Sequence, residues 1–259
     1  MHTARIGLLS LALALCAAPA LAQDISKISG DVNVTASQQA GEVDTVSGDI
    51  DVSAGVRIGN VSSVSGDIDL GANAAARNVT TVSGDVDLGT NAVARNVTTV
   101  SGDIHAADGV QARAITTVSG DIELGAQGAA TEIGSVSGDV LIRRGGQVQS
   151  QVKTVSGSVG LIAAQVGGDV VTHSGDVTVG VNSRVRGALR VLKLQNDGVT
   201  VINLGRSTPP RIVIGPNAAV DGPLVFERPV KLYVHATART GKITGATPVR
   251  FETPRAPAD

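Results

Sequence analysis

Seven aspartates recur at intervals of eighteen residues: Asp31, Asp49, Asp67, Asp85, Asp103, Asp121 and Asp139. Each directly follows a Ser-Gly pair, and Asp176 follows the same pair further on. Two residues beyond the first six stand Asn33, Asp51, Asp69, Asp87, His105 and Glu123. If the period is structural, these residues become two parallel columns on one face. Carboxylates about 5 Å apart repel by roughly 0.8 kcal/mol even in water, so such columns need relief from backbone N–H groups, salt or bound cations. Aspartate in a turn accepts backbone N–H bonds, and capping on a solvated face is the expected role. The alternative is calcium, which takes six to eight oxygen ligands. The unbroken block Asp49, Asp51, Asp67, Asp69, Asp85 and Asp87 would supply them from adjacent repeats together with water, since Asn33 and His105 interrupt the second column on either side.

Other polar residues repeat at the same spacing. Thr80, Thr98 and Thr116 form one column and Thr81, Thr99 and Thr117 the next. Adjacent residues of a strand face opposite ways, so only one of these columns is expected outside. Asn78 and Asn96 predict a structural ladder at a corner, and Arg77, Arg95 and Arg113 a column that either offsets the acids or is solvated. His173 replaces the valine of the Val-Ser-Gly-Asp string, a position expected to face the core. His105 and His235 lie far from it in the chain, so neither a catalytic triad nor a histidine metal site is expected.

The elements that must position these residues follow from the period. The motif glycines are Gly30, Gly48, Gly66, Gly84, Gly102, Gly120, Gly138, Gly157 and Gly175, spaced by eighteen residues except for one step of nineteen. A fixed short period means stacked supersecondary units. Eighteen residues are too few for paired helices, and the recurrent Val, Ile and Thr favour strands. The expected fold is therefore all-β: one β-solenoid of 18-residue coils, its successive coils paired in parallel about 4.8 Å apart. In Asp85-Val86-Asp87-Leu88, alternation puts Val86 and Leu88 inside and both acids outside. Val79 and Val82 are expected to add core positions, with Gly84 and Gly89 at crowded turns. Aromatic residues make up only 1% of the chain, as a narrow aliphatic stack between two layers of backbone would require. The handedness of the coil stays open.

Organisation along the chain is legible too. Residues 1–22 have a basic start, an apolar stretch from Ile6 to Ala18 and the small-residue site Ala20-Leu21-Ala22, the layout of a signal peptide with Gln23 as the new N-terminus. Leu15 before Cys16 does not suit lipidation, and cleavage would remove the only cysteine. Residues 23–180 carry the repeat. Residues 181–253 read as divergent solenoid coils and a cap, with Asn196-Asp197-Gly198 as a turn, and 254–259 as a flexible tail. Val185–Val191 resembles Val220–Phe226 at a spacing of 35, close to two coils. A net charge of −2 gives no overall positive field for nucleic acid, and no later apolar run could span a membrane.

The recurring strings VSGDI and VSGDV, over roughly Ile28 to Val179, resemble the bacterial adhesin family with SGD-type β-strand repeats. The C-terminal string RIVIGPNAAVDGPLVFE is similar to bactofilin-type polymer-forming solenoids. The first resemblance implies an envelope protein with no enzymatic activity to carry over, and the second implies self-assembly. The expected function is thus a non-enzymatic structural or adhesion-type solenoid of the bacterial cell envelope, periplasmic or secreted, with no cofactor, calcium at the acidic block being the alternative. Its expected partners are envelope components or further copies of itself. A solenoid acyltransferase is the remaining alternative, and it would need a deep pocket between coils around His173.

Overall fold

A computed structural model describes residues 23–35, 40–193 and 208–258. Among them there is no helix, and every strand pairing is parallel. The three-residue strands Val32–Val34, Ile50–Val52, Ile68–Leu70, Val86–Leu88 and Ile104–Ala106 begin a twelve-stranded sheet that ends at Val249–Phe251. Longer strands such as Ala75–Thr81, Val93–Thr99 and Gln111–Thr117 stack into a second sheet. Each turn of chain adds one strand to each sheet, so the fold is a β-solenoid of about twelve coils. Neighbours in the stack are one repeat apart: Ile68 pairs with Val86, Val86 with Ile104 and Ile104 with Ile122. The step of nineteen is absorbed by a bulge. Ala130 pairs with Val148, but Glu132 pairs with Gln151, and the short-strand sheet then runs on with Val140 against Val159.

The long strands bend. In Ala75–Thr81, Ala76 and Val79 are buried while both residues between them, Arg77 and Asn78, face outward, so the inside–outside alternation breaks there. Further on the bend becomes a gap, and Gln147–Lys153 pairs with two separate strands, Gln165–Val166 and Val170–Thr172. Each coil therefore has three sides. Its interior is an aliphatic column in which Val79, Val86, Val97, Ile104, Ile115, Ile122 and Leu124 are all fully buried, which accounts for the scarcity of aromatics.

Thr81, Thr99 and Thr117 point into this column and are completely buried. Their hydroxyls donate to Gly66 O, Gly84 O and Gly102 O, at 3.2, 3.3 and 3.4 Å, tying the inside of one coil to the Ser-Gly-Asp turn of the coil before. The outer threonine column, Thr80, Thr98 and Thr116, faces away from the core, so only one column is exposed as expected. The same alternation overturns a core assignment. With Thr81 inside, Val82 must face out, and it is 42% exposed. Val46, Val64, Val100, Val118 and Val136 share this outward position. His173 occupies it as well and is therefore half-buried at the surface, not in the core.

At the other turn of successive coils from Gly55 to Asn217 one residue takes a left-handed backbone. Asn73, Asn91 and Asn217 have φ between 54 and 58°, and Gly55, Gly109 and Gly145 have φ of 74–75°. Asparagine and glycine are the residues that adopt this conformation most readily.

The solenoid continues past Val179: Val177 pairs with Ile212 and Ile212 with Leu232. Arg184 pairs with Ala219 and Val191 with Phe226. The two similar segments 35 residues apart are thus direct neighbours, not two coils apart, and one coil carries the extra residues. The expected turn Asn196-Asp197-Gly198 and the leader 1–22 lie outside the described residues. Near the end of the stack Phe226 and Phe251 are buried. His235 meets the Phe251 ring edge-on at 5.0 Å. Its Nδ1 accepts from Thr237 N–H at 3.1 Å, which leaves Nε2 to donate to Glu252 O at 3.2 Å. The last coils thus carry buried aromatic bulk that the repeat region lacks.

Candidate functional site

The acidic columns lie on and beside the outer face of the short-strand sheet, and they differ in role. In the first column each carboxylate accepts the backbone N–H of the aspartate one coil further on. Asp67 N donates to Asp49 Oδ1 at 3.0 Å, Asp85 N to Asp67 Oδ1 at 2.8 Å and Asp103 N to Asp85 Oδ1 at 2.8 Å. Asp121 N and Asp139 N continue the series at 2.7 and 2.8 Å. Where Ser158 breaks the run of acids, its N–H still donates to Asp139 Oδ1 at 2.7 Å. Arg211 N does the same to Asp176 Oδ1 across the enlarged coil, at 2.7 Å. The expected capping is present, but it joins adjacent coils instead of closing each turn on itself. Asp108 and Asp169 cap neighbouring coils in the same way elsewhere, through Ala126 N and Ala188 N at 2.7 and 2.8 Å.

The second column has no such bonds. Asp51, Asp69 and Asp87 pair in register through their backbones, all three are exposed, and no donor reaches their carboxylates among the described residues. Partial burial is the main cause that pushes the Asp69 carboxyl above its ordinary range, and the charges of Asp87, Asp51, Asp67 and Asp49 add to it. A pKa raised in the folded state means the folded chain holds that proton more tightly. Ionisation of Asp69 therefore works against folding, and this cost is relieved as pH falls through its folded pKa. The column changes character at Glu123, which the Arg143 guanidinium holds below the usual carboxylate range by hydrogen bond and charge. His105 Nδ1 stands 3.9 Å from Glu123 on the other side.

The six carboxylates offered for calcium are thus strung along the axis, and half of them accept backbone N–H bonds. Among the described residues no group of three or more His, Asp or Glu is gathered in a way that could hold a metal ion. Two outcomes are expected. First, Asp85→Ala lowers stability by about 1 kcal/mol, the scale of one lost hydrogen bond to a charged acceptor in water-accessible surroundings, whereas Asp87→Ala leaves it unchanged or slightly higher. Urea midpoints of the two variants test this, and equal midpoints would refute the division of labour. Second, NaCl raises the melting temperature smoothly by screening, and calcium at matched ionic strength adds nothing. A calcium increment abolished by Asp67→Asn with Asp69→Asn would restore the metal site.

A third column stands on another side of the coil. Ala76 pairs with Ala94 and Ala94 with Ala112, while Asn78 pairs with Asn96 and Asn96 with Ala114. This register sets Arg77, Arg95 and Arg113 directly above one another at the bend. They rim a shallow groove floored by Ala75, Val93 and Ala112, with Arg57 at one end and Thr131 at the other. Arg57 is not an exact rung, because it pairs with Ala75, and sequence spacing alone did not attach it to the column. Among the described residues none of these four arginines has an ion pair. Beside them the asparagines form the expected ladder: Asn78 Nδ2 donates to Asn60 Oδ1 and Asn96 Nδ2 to Asn78 Oδ1, each at 2.8 Å.

The histidines are not brought together. His105 sits on the acidic column and His235 in the final coils. His173 lines none of the grooves along the arginine column, the acidic column or the C-terminal coils. Its Nδ1 is enclosed without a hydrogen-bond partner among the described residues, and its carbonyl accepts from Arg228 Nη1 at 2.9 Å.

The family described as Toastrack DUF4097 matches residues 60–207. No curated protein and no solved structure matches the chain.

Proposed function

The chain belongs to the Toastrack DUF4097 family, and from that premise we propose that it is a non-enzymatic structural scaffold exported to the bacterial cell envelope, where it presents long ordered faces to other envelope components in the manner of an adhesin. One observation carries the reading: among the described residues the repeated acids and arginines are laid out as columns at coil spacing, and no three His, Asp or Glu side chains are gathered at one point. Catalysis needs groups held within hydrogen-bond reach of one reacting atom. A ladder instead offers the same contact again and again along an axis, which suits extended or repeated partners. Export is supported by the order of residues 1–22, with a short apolar stretch followed by Ala20-Leu21-Ala22. Among the described residues no helix is long and apolar enough to cross a membrane.

N-terminal sequencing of the protein recovered from envelope or culture-medium fractions tests the address. The expected first residue is Gln23. Retention of Met1 in the cytoplasm would overturn export, and a modified Cys16 at the N-terminus would replace a free protein with a lipid-anchored one. Recovery of envelope proteins with the native chain, lost when the outer ladders are neutralised, is the expected sign of the scaffold role.

A further inference from the structure

The arginine column and the second acidic column share features that point beyond a solvated surface. Each has three rungs on successive coils, Arg77, Arg95 and Arg113 on one side and Asp51, Asp69 and Asp87 on another. All six side chains are exposed. None has an ion pair or side-chain hydrogen bond among the described residues. Within a chain they stand on different sheets of the solenoid.

We propose that these two columns are the complementary halves of one interface, through which the arginine face of one copy of this chain docks on the acidic face of a second copy. Both ladders take their rung distance from the rise between coils, about 4.8 Å, so the two faces share one repeat along the axis and successive rungs can meet in order. Guanidinium is the group best suited to the task, because its planar fork meets a carboxylate with two parallel hydrogen bonds. The crowded charge at Asp69 is the kind of electrostatic cost that a facing row of cations removes. An unrelated polyanion is the less favoured partner: the chain as a whole carries a net charge of −2, so no long-range field draws one in, and nothing fixes its charge spacing to that of the coils. The two faces are different surfaces of one chain, so the contact is heterologous and does not close by itself. It therefore builds a ring or an open ribbon of side-by-side solenoids instead of a two-fold dimer. The inference deepens the scaffold reading and rests on it for its meaning, but its test is separate from that of export.

Sedimentation velocity of the full chain over a range of concentrations decides it, at about 20 mM and about 0.5 M NaCl, which give long and short Debye lengths. The expected result is association at low salt that disperses at high salt. Reversing one face with Arg77→Glu, Arg95→Glu and Arg113→Glu, or the other with Asp51→Lys, Asp69→Lys and Asp87→Lys, is expected to weaken self-association by roughly tenfold or more, the combined scale of three exposed ion pairs. An equimolar mixture of the two reversed proteins is expected to associate again, because one then presents only acidic faces and the other only basic ones. Melting curves of both variants establish that they fold. A chain that stays monomeric at low salt overturns the proposal, as does association that survives either reversal or a mixture that does not restore it. Capture of polyglutamate by a wild-type chain that remains monomeric would give the arginine ladder to a polyanion instead. A monomeric chain beginning at Gln23 in the envelope would sink this inference and leave the export reading standing.

Discussion

Val86→Asp is expected to unfold several coils, whereas Asp87→Asn, one position along the same strand, leaves stability nearly unchanged. Val86 is fully buried between Ile68 and Ile104. Its loss removes about 1.5–3 kcal/mol of apolar burial. The new carboxylate does more damage than that loss, because a charge in an aliphatic column with no donor in reach costs several kcal/mol or forces uptake of a proton. The damage should therefore deepen as pH rises above the carboxylate range, since the protonated form is the less costly to bury. Asp87 faces water and its neighbours repel it, so neutralising it relieves a small strain. Each coil contacts only those before and after it, and stability in such an array is close to the sum of what single coils and the contacts between neighbours contribute. Hydrogen exchange should accordingly show protection lost first in the coils around residues 68–104 and retained near the C-terminal aromatics. Equal shifts of the urea midpoint for the two variants would mean that the inside and outside of the strand are exchanged.

That pair of substitutions also shows what was legible in the sequence. Alternation over four residues at Asp85–Leu88 places each side chain correctly, because a strand packed on one face has a period of two and the repeat shows it many times over. The same rule applied along the preceding strand excludes Val82 from the core. Its β-branched apolar side chain invites the opposite reading, while the residue that enters is Thr81, a polar group whose partner, Gly66 O, belongs to the previous coil. His173 is misplaced with Val82 for the same reason. Contacts between coils are the information a single repeat does not display. The bond from Asp103 N–H to Asp85 exists only because successive turns stack in register. The adjacency of Val185–Val191 and Val220–Phe226 is masked by an insertion that makes one coil look like two. The arginine column can be read from its spacing. That it has no acidic partner among the described residues cannot, since that depends on which side of the coil each column occupies.

The second large effect concerns the glycine stack. Gly102→Ala is expected to destabilise the protein by several kcal/mol, at or above the roughly 1–3 kcal/mol that overpacking of an ordinary core costs, and Gly134→Ala to be neutral or slightly stabilising. Neither glycine has a positive φ, so alanine meets no backbone strain at either site, and the difference is one of space alone. A Cβ on Gly102 would overlap the carbonyl of Gly84 in the coil beneath, far inside van der Waals contact. Because the obstacle is backbone, no side chain can swing away to relieve it. The two coils would have to separate at the turn where Asp103 N–H reaches Asp85 and where Thr99 bonds Gly84 O, so the clash also loosens the hydrogen bonds that join them. At Gly134, by contrast, the nearest atoms are Thr116 Cγ2 at 3.9 Å and Lys153 O at 4.0 Å. A methyl group fits there, and by narrowing the unfolded ensemble it contributes about 0.4–1 kcal/mol. Thermal melts of the two variants check the contrast. A Gly102→Ala protein that melts with the wild type would show that the coils do not approach one another through the glycine column, and the role of the Ser-Gly-Asp turn as the contact that sets their spacing would fall with it.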